Sequence, residues 1–407
     1  MTTPHRPIIN LNAGPAALPI PVLEQAARAT VDLDGTGISI LSISHRSPEF
    51  EGIVANANAD LCALLGVPVG EYAVLWMQGG ASTQFHTVAI NLAARAHGLL
   101  PPTQDNEEVE WAAEYLVTGT WSQKALETAR AAGIATHVIA DSKPANYTSV
   151  PAVETWSRAP RALYTYVCTN ETVHGVELSQ RLIDAAAAHP ATANGHRPLL
   201  VADMSSNILS RPVNVSQYDL IFAGAQKNMG PAGVTLAIVR KSVLNVKPDM
   251  SVPVPLMLDY ATYAASNSLY NTPPVHAMFV TGLVLRWLRE ADHGMAGETG
   301  LAAISARNNE KAYRVYTALR EARYFAPIVS QEEVQSHMNV VFHVLDDEER
   351  PKPELEKKFV KFAEGRGIVG LAGHRSVGGC RASLYNAVTL EDTDALVSCI
   401  REFDRLL

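Results

Sequence analysis

A chain of 407 residues with 47% hydrophobic and 18% charged residues has enough apolar side chains for two or three compact domains, which excludes a disordered protein. Its formal net charge of −8 argues against a nucleic acid as the main partner, because that would require a basic face. No apolar run approaches the ~20 residues of a membrane span, and the start of the sequence has no apolar signal core. The four cysteines show neither metal-site nor redox spacing, so we expect reduced thiols, no metal and a cytoplasmic protein.

The first elements along the chain are a short strand with a Gly-Pro turn over residues 8–16 and a helix over Ile20–Leu33. Further on, apolar residues alternate with serine over Ile38–Ile43, a pattern that predicts a half-buried strand. His45 and Arg46 follow this strand directly, just before a second helix. A histidine–arginine pair in such a position is most often solvent-exposed, so these two residues alone indicate no function.

A segment of small residues, GGAST, joins a predicted strand over Ala73–Met77 to a long helix. Such a segment lets the backbone approach an anion closely, and the helix N-terminus adds free N–H groups and a positive potential. Ala81 and Ser82 are the residues that would meet the anion. An ordinary turn capped by Ser82 or Thr83 would explain the same letters, so both interpretations stay open.

Strands and helices then alternate along the chain. Apolar runs typical of buried strands occupy Tyr115–Thr118, Ile134–Ala140, Ala162–Cys168, Leu199–Ala202 and Tyr218–Ala223. This order is typical of an α/β fold. Trp121 lies at the start of the helix after the first of these strands, where a tryptophan is more often a core residue than a ligand-binding one.

Asp203 and Lys227 follow the last two of these strands. In an open α/β sheet, ligands bind beyond the carboxyl ends of the strands, so both side chains would enter one crevice. A lysine on a solvated turn, or a simple ion pair between the two, would account for them without any function. A partly desolvated lysine has a lowered pKa and acts as a nucleophile toward a carbonyl. Pyridoxal phosphate requires this pair, a lysine for its aldehyde and an acid for its ring nitrogen.

The last part of the chain, after Gly294, predicts a second and smaller α+β domain. A strand over Val234–Val239 and a helix from about Pro273 precede it, and Asn271 and Thr272 before this helix are first of all candidate caps. The elements predicted within the domain are a helix to about Glu321, a strand over 337–344, a helix over 353–367, two further strands and a terminal helix.

His374, Arg375 and Arg381 lie close together in the sequence GHRSVGGCR, among glycines and small residues. Three groups that carry or accept positive charge, without a nearby acid, favour an anion site over a solvated turn. Arginine binds a carboxylate through two parallel hydrogen bonds, which suits an amino-acid substrate.

Motifs over nearly the whole chain, in consistent order and spacing, resemble the phosphoserine aminotransferases, class-V enzymes of fold type I that depend on pyridoxal 5'-phosphate. They are SHR, GGASTQF, TGTW, NET, DMSS, AGAQKN, NTPP and GHRSVGGCRAS. The resemblance implies a mostly parallel seven-stranded sheet in a large domain over residues 17–293, with residues 1–16 and 294–407 forming the small domain. It also implies transamination between L-glutamate and 3-phosphonooxypyruvate, giving 2-oxoglutarate and O-phospho-L-serine for serine biosynthesis. The enzyme would be a homodimer with active sites at the subunit interface.

The same resemblance implies a role for each candidate residue. Lys227 would bind the cofactor and transfer protons, while Asp203 would face its ring nitrogen. Further cofactor contacts are implied for Ala81, Ser82, Trp121, Thr172, Gln226, Asn271 and Thr272, the last two at the phosphate of the neighbouring subunit. Substrate contacts are implied for His45 and Arg46 across the interface, for Arg381 at the α-carboxylate, and for His374 and Arg375 at the distal anion. Many bacterial relatives have arginine where this chain has Ser82, so its phosphate site would rely more on backbone and hydroxyl groups.

Two other functions are compatible with this fold. An alanine–glyoxylate aminotransferase would share it, but alanine has no distal anion for His374 and Arg375 to bind. A binding or scaffold protein that has kept the fold without the cofactor would need neither Lys227 nor Asp203.

Overall fold

The structure is a computed structural model that describes residues 8–100, 111–188, 197–295 and 297–407. The predicted small-domain segment 1–16 therefore lies partly outside the described residues. Among the helices in the described ranges, none is both long enough and apolar enough to cross a membrane.

The strands and helices follow one another in an α/β order and then in an α+β order. In chain order the strands of the described ranges are β1 (Ile9–Asn10), β2 (Tyr72–Met77), β3 (Ala112–Val117), β4 (Thr136–Asp141), β5 (Ala162–Cys168), β6 (Asn170–Glu171), β7 (Val176–Glu177), β8 (Leu199–Asp203), β9 (Leu220–Gly224), β10 (Thr235–Arg240), β11 (Phe325–Pro327), β12 (Asn339–Val344), β13 (Ile368–Val369) and β14 (Cys380–Ser383). The helices are α1 (Ile20–Val31), α2 (Pro48–Leu65), α3 (Gly80–Ala94), α4 (Ala96–Leu99), α5 (Thr120–Ala131), α6 (Gln180–Ala187), α7 (Lys241–Leu244), α8 (Tyr260–Ala265), α9 (Val275–Glu290), α10 (Gly300–Glu321), α11 (Pro353–Glu364) and α12 (Leu390–Asp404).

The central sheet has seven strands in the order β2-β10-β9-β8-β5-β3-β4. All of them run parallel except β10, which is antiparallel to both of its neighbours. The predicted fold class, with its mostly parallel seven-stranded sheet, is confirmed. Each predicted strand of this sheet overlaps the observed one, and β5 has the predicted bounds.

Both faces of the sheet are covered, which explains why its strands are nearly continuous apolar runs. Leu200 of β8 belongs to a core shared with α2 and α9, whereas the next residue, Val201, belongs to a core shared with α3 and α5. In β5 every residue is buried. The acid Asp203 stands at the carboxyl end of β8, at the edge of this covered sheet.

The segment Ile38–Ile43 is not a strand, so this prediction was wrong. It forms turns that fold back on the end of α1, where Ile40 N–H donates to the Ala29 carbonyl at 2.9 Å and Ser39 Oγ donates to the Thr30 carbonyl at 2.6 Å. Ile40 and Ile43 are buried and Leu41 is exposed. The two buried residues are three positions apart, so the segment lacks the alternating burial of a strand, and no neighbouring strand pairs with it within the described residues.

The second core is built on the antiparallel sheet β11-β12-β14. Helices α10, α11 and α12 cover it, and Phe325 packs edge-on against Phe359 with ring centroids 5.1 Å apart. Strand β11 was missed because it is three residues long and ends in proline. Strand β1, near the start of the chain, pairs in parallel with β13, so Ile9 lies opposite Ile368.

Glu177 connects the two cores, since β7 lies beside the large sheet and His337 precedes β12. Its carboxylate accepts hydrogen bonds from the backbone N–H of His337 at 3.0 Å and from Asn207 Nδ2 at 3.1 Å. Arg211 Nε lies 3.5 Å away. Burial alone raises the pKa of Glu177, but the bonds to His337 and the charge of Arg211 lower it overall to about 2.

Glu177→Gln is expected to lower the free energy of unfolding by about 3 kcal/mol at pH 7, because the folded pKa lies well below that of the unfolded chain. A carboxyl with a lowered pKa stabilises the fold above its unfolded pKa of 4.5, and this contribution is lost as the pH falls toward 2. Urea unfolding at several pH values checks this, with Glu333→Gln as the control. Glu333 also has a pKa of about 2, owing to Arg181 and Ser179, but its pair with Arg181 is exposed and contributes less than about 1 kcal/mol. Equal losses in both variants would contradict the buried role of Glu177.

Candidate active site

Asp203 and Lys227 lie at the carboxyl ends of two neighbouring strands. Strand β8 pairs in parallel with β9, and Asp203, the last residue of β8, is opposite Phe222. Lys227 comes three residues after the end of β9. The described side chains of Asp203 and Lys227 form no direct ion pair, so the simple ion-pair interpretation is wrong. The two groups instead line one crevice without neutralising each other by contact.

Lys227 points its amine into the protein. Its Nζ donates to Thr172 Oγ1 at 2.6 Å and lies 5.2 Å from the ring centroid of Trp121. Part of the side chain stays accessible, yet burial around the amine lowers the pKa of Lys227, and Asp203 opposes this only in part. The solvated-turn interpretation is wrong, because the amine is desolvated and held in one position.

The N-terminal turn lies directly against Lys227. A Cβ added to Gly14 would sit 3.2 Å from Lys227 Cγ, and the Ala16 N–H donates to the Gln226 carbonyl at 2.9 Å. Gly14 also has a φ of +137°, a conformation that other residues rarely adopt. Glycine therefore suits this position chiefly because of its backbone conformation, and a Cβ would also require a small shift of the Lys227 side chain.

Asp203 is held by the residue two positions further on. Its Oδ1 accepts hydrogen bonds from Ser205 N at 2.8 Å and Ser205 Oγ at 2.6 Å, while its Oδ2 has no hydrogen-bond partner among the described residues. Asp203 is only 4% exposed. Burial raises the pKa of this carboxyl, and Lys227 and Ser205 oppose the rise. Sequence reasoning did not single out Ser205, although the Asp-x-Ser spacing is typical of such a local bond.

Glu171 fixes the position of Trp121. Its carboxylate accepts from Trp121 N at 2.9 Å and from Ser122 N at 2.8 Å, which places an anion at the N-terminus of α5. A Cβ on Gly119 would collide with this carboxylate, so a glycine must precede the helix. Trp121 Nε1 is buried without a partner. The NET segment belongs to the motifs of the resemblance, but no role was predicted for its glutamate.

A backbone cradle opens helix α3. Gly79, with a φ of +99°, is its N-cap, and Gly80 N–H donates to Thr235 Oγ1 at 2.8 Å. The next amide groups, those of Ala81 and Ser82, have no partner within the helix. Thr83 Oγ1 donates back to the Gly79 carbonyl at 2.9 Å, so neither Ser82 nor Thr83 is the cap. This helix start is built to accept an anion.

Asn271, Thr272 and His45 come together beside this cradle. Gln78 Nε2 donates to Asn271 Oδ1 at 3.4 Å, and Thr272 Oγ1 lies 3.3 Å from His45 Nδ1. Helix α9 begins at Val275 with Pro274 as its N-cap residue, so Asn271 and Thr272 do not cap it, contrary to the expectation from the residues alone. Both remain available to a ligand. Arg46, by contrast, is exposed to solvent.

Arg381 contacts the segment that holds Lys227, and the charges of Arg381 and Arg375 act on His374. Arg381 Nη1 donates to the Thr172 carbonyl at 3.2 Å, so Thr172 touches both this arginine and Lys227. Arg381 Nε is buried without a partner. Burial and the charges of Arg381 and Arg375 lower the pKa of His374, whose Nδ1 lies 2.6 Å from Ser376 Oγ.

The groups of this crevice fit pyridoxal phosphate. They comprise a desolvated amine, a carboxylate with one unoccupied oxygen, an indole with an unpartnered N–H, and a helix start with free amides. Gln226 contributes its backbone to the same wall. Among the described residues no cluster of three or more histidine, cysteine, aspartate or glutamate side chains is arranged to hold a metal ion.

Comparison with known proteins identifies related aminotransferases that match nearly the full length of this chain. The aminotransferase class-V family model matches residues 8–396. The phosphoserine aminotransferase of Geobacillus kaustophilus is 43% identical over 396 residues, covering 97% of this chain and 98% of that protein. The structure of phosphoserine aminotransferase from Bacillus circulans subsp. alkalophilus has 40% identity and a TM-score of 0.83, covering 98% of this chain and 99% of that one. A PLP-bound phosphoserine aminotransferase from Trichomonas vaginalis has 35% identity and a TM-score of 0.83, covering 97% and 99%.

Proposed function

The chain belongs to the class-V aminotransferases, and from its likeness to the phosphoserine aminotransferases we infer that it catalyses the same reaction with pyridoxal phosphate as cofactor. It transfers the amino group of L-glutamate to 3-phosphonooxypyruvate, which gives 2-oxoglutarate and O-phospho-L-serine for serine biosynthesis. The observation that carries this inference is the placement of Asp203 and Lys227 in one crevice within a chain that matches these enzymes from end to end.

The residues that would hold the cofactor surround this crevice. Lys227 would bond the aldehyde, Asp203 Oδ2 would face the ring nitrogen, and the indole of Trp121 would cover the ring. The amides of Ala81 and Ser82 would bind the phosphate, with Thr172 and Gln226 on the remaining sides. When bound, pyridoxal phosphate supplies an aromatic ring that accepts electrons from the substrate Cα.

Lys227 is the group that moves the proton. Because burial lowers the pKa of its amine, a larger fraction of Lys227 is unprotonated at neutral pH than for an exposed lysine. An unprotonated Nζ accepts the Cα proton of the amino-acid substrate and later returns it, which is general base and then general acid catalysis. The hydrogen bond to Thr172 Oγ1 orients the amine for this transfer.

The substrates would be held by three residues of the small domain, Arg381, His374 and Arg375. The guanidinium of Arg381 would bind the α-carboxylate, while His374 and Arg375 would bind the distal anion. Glutamate and phosphoserine both carry these two anions, so one pocket serves both halves of the reaction. An alanine–glyoxylate aminotransferase would leave His374 and Arg375 without a ligand, which is why we favour the phosphorylated substrate.

We further propose a homodimer in the cytoplasm, in which His45, Arg46, Asn271 and Thr272 act at the active site of the neighbouring subunit. Exposed apolar side chains lie close in sequence to both segments, with Leu41 63% and Tyr270 47% exposed, and such residues are typical of an interface. The described cysteines are all free, as is usual in a reducing compartment. We keep the division into a large domain over 17–293 and a small domain of 1–16 and 294–407, which the pairing of β1 with β13 supports.

A coupled assay of the purified holoenzyme tests this function. With glutamate as donor, we expect turnover with 3-phosphonooxypyruvate and a kcat/KM at least ~100-fold lower with pyruvate or glyoxylate, because neither offers a distal anion. Equal rates with all three acceptors would contradict the assigned substrate. Absence of turnover with any of them would contradict the enzyme assignment itself.

A further inference from the structure

The turn between β6 and β7 lies at the boundary between the large sheet and the small one. Arg381 Nη1 donates to the Thr172 carbonyl in this turn at 3.2 Å. A Cβ on Gly175 would come within 2.6 Å of Val341 Cγ2, and Val341 is the strand partner of Arg381. The turn therefore packs directly against β12 and is bonded to Arg381 of the neighbouring strand β14.

His174 occupies the middle of this turn and is almost fully buried, at 7% exposure. Its Nε2 lies 2.9 Å from Thr120 Oγ1 at the start of α5, and its ring centroid is 4.4 Å from that of Tyr147. Burial and the nearby His374 lower the pKa of His174 to about 4. The imidazole is thus neutral at pH 7 and firmly seated between α5 and the small domain.

Lys124 lies one helical turn beyond Thr120, on the same face of α5. Its Nζ is 4.8 Å from the ring centroid of Trp121, the ring that the Lys227 amine approaches to 5.2 Å. The charge of Lys124 also contributes, after burial, Arg381 and Arg375, to lowering the pKa of His374. Lys124 and His174 therefore lie on the same side of the crevice, beside α5. His374 is close enough for the charge of Lys124 to lower its pKa, and it lowers the pKa of His174 in turn.

The cations around His374 have no counter-ion in the described part of the chain. Neither Lys124 nor Arg375 nor Arg381 forms an ion pair with a described carboxylate. Two acids that contact α5 have other partners, since Glu127 accepts from Gln123 Nε2 at 2.7 Å and Glu171 accepts from Ser122 N at the start of the helix. A group of positive charges that repel one another across a domain boundary is stabilised by an anion placed between them.

We propose that Lys124 and His174 form the large-domain wall of the distal anion subsite, opposite His374 and Arg375, and that this wall favours a phosphate over a carboxylate. This inference rests on the proposed function. Lys124 adds a positive charge that a phosphate dianion attracts more strongly than a carboxylate monoanion does. His174, in the tautomer in which Nε2 accepts from Thr120, has Nδ1–H free to donate to a phosphate oxygen. Binding of the phosphorylated substrate then joins the two domains.

The test compares Lys124→Met and His174→Phe with the wild-type holoenzyme. In Lys124→Met we expect KM for 3-phosphonooxypyruvate to rise about tenfold, with KM for glutamate rising no more than about threefold, because the lost charge acts on a dianion. In His174→Phe, whose ring still packs on Tyr147, we expect a rise of about fivefold for the phosphorylated substrate alone. Lys357→Met, which removes an exposed lysine from α11, is the control for net charge and should leave both KM values unchanged.

Binding of inorganic phosphate and of O-phosphoserine gives a second readout. Titrated against the visible absorption of the bound cofactor, both ligands should bind more weakly to Lys124→Met than to the wild type, while 2-oxoglutarate should bind nearly as well. Equal losses for phosphorylated and carboxylate ligands, or no loss at all, would overturn the inference. A wild-type enzyme that does not use 3-phosphonooxypyruvate would overturn the proposed function as well, and that failure is visible before any variant is made.

Discussion

Lys227→Ala is expected to lower transamination by at least about 10⁴-fold while leaving the fold intact, because the variant loses both the amine that bonds the cofactor and the group that moves the Cα proton. The fold should survive because Lys227 contributes no buried ion pair. Its amine is bonded to a single hydroxyl, Thr172 Oγ1, and is already destabilised in its charged form by burial. The melting temperature of the cofactor-free variant should therefore stay within about 3 °C of the wild type.

The coupled assay and thermal unfolding of the cofactor-free protein measure these two effects. Lys311→Met is an informative control, because Lys311 is fully buried and also has a lowered pKa, caused chiefly by burial. Its Nζ donates to the carbonyls of Leu384, Tyr385 and Val388, so its loss should reduce stability rather than chemistry. Appreciable transamination by Lys227→Ala would refute the role of this residue.

Asp203→Asn is expected to lower kcat by about 10³-fold, because an amide cannot keep the cofactor ring nitrogen protonated as a carboxylate does. The same change should make the cofactor-free protein slightly more stable at pH 7. An acid whose folded pKa is raised stabilises the fold at low pH, and that contribution is lost as the pH rises through the folded pKa. Asparagine does not ionise and so avoids this loss. The increase in the free energy of unfolding should therefore appear at pH 7 and vanish below about pH 4.

Asp219→Asn is the control that distinguishes the specific role of Asp203 from the general effect of losing a buried acid. Asp219 is 3% exposed and lies just before β9, but its oxygens accept from Arg240 Nε at 2.9 Å and from Leu200 N at 2.9 Å. We expect Asp219→Asn to lose stability and to keep most of its kcat. If Asp203→Asn instead behaved like Asp219→Asn, the role of Asp203 at the ring nitrogen would be wrong.

The sheet and the two residues at its strand ends could be predicted from the sequence because each depends on local information. A buried strand is an apolar run, and a polar side chain at its end is visible as Asp203 or Lys227. The strand predicted over Ile38–Ile43 failed for a related reason. Only two of its four apolar residues are buried, and Ile40 is buried by folding back on α1 rather than by pairing with a strand.

The connections within the site could not be predicted, because they join residues that are distant in the sequence. Thr172 touches both Lys227 and Arg381, and no local pattern indicates such a contact. Glu171 could be seen as an acid after a buried strand, but its partners at the start of α5 lie 50 residues away. The caps of α3 and α9 were misplaced because a glycine or a proline, rather than a nearby serine, threonine or asparagine, precedes each helix.

The parallel pairing of β1 with β13 has a consequence for synthesis on the ribosome. The residues that close over Lys227 emerge before the large sheet, whereas Ile368 and Val369, which hold them through β1, emerge long after it. A growing polypeptide can thus form the large sheet before this distant contact exists, and contacts of such long range form late. We therefore expect the crevice around the lysine to be completed only after β13 has been synthesised.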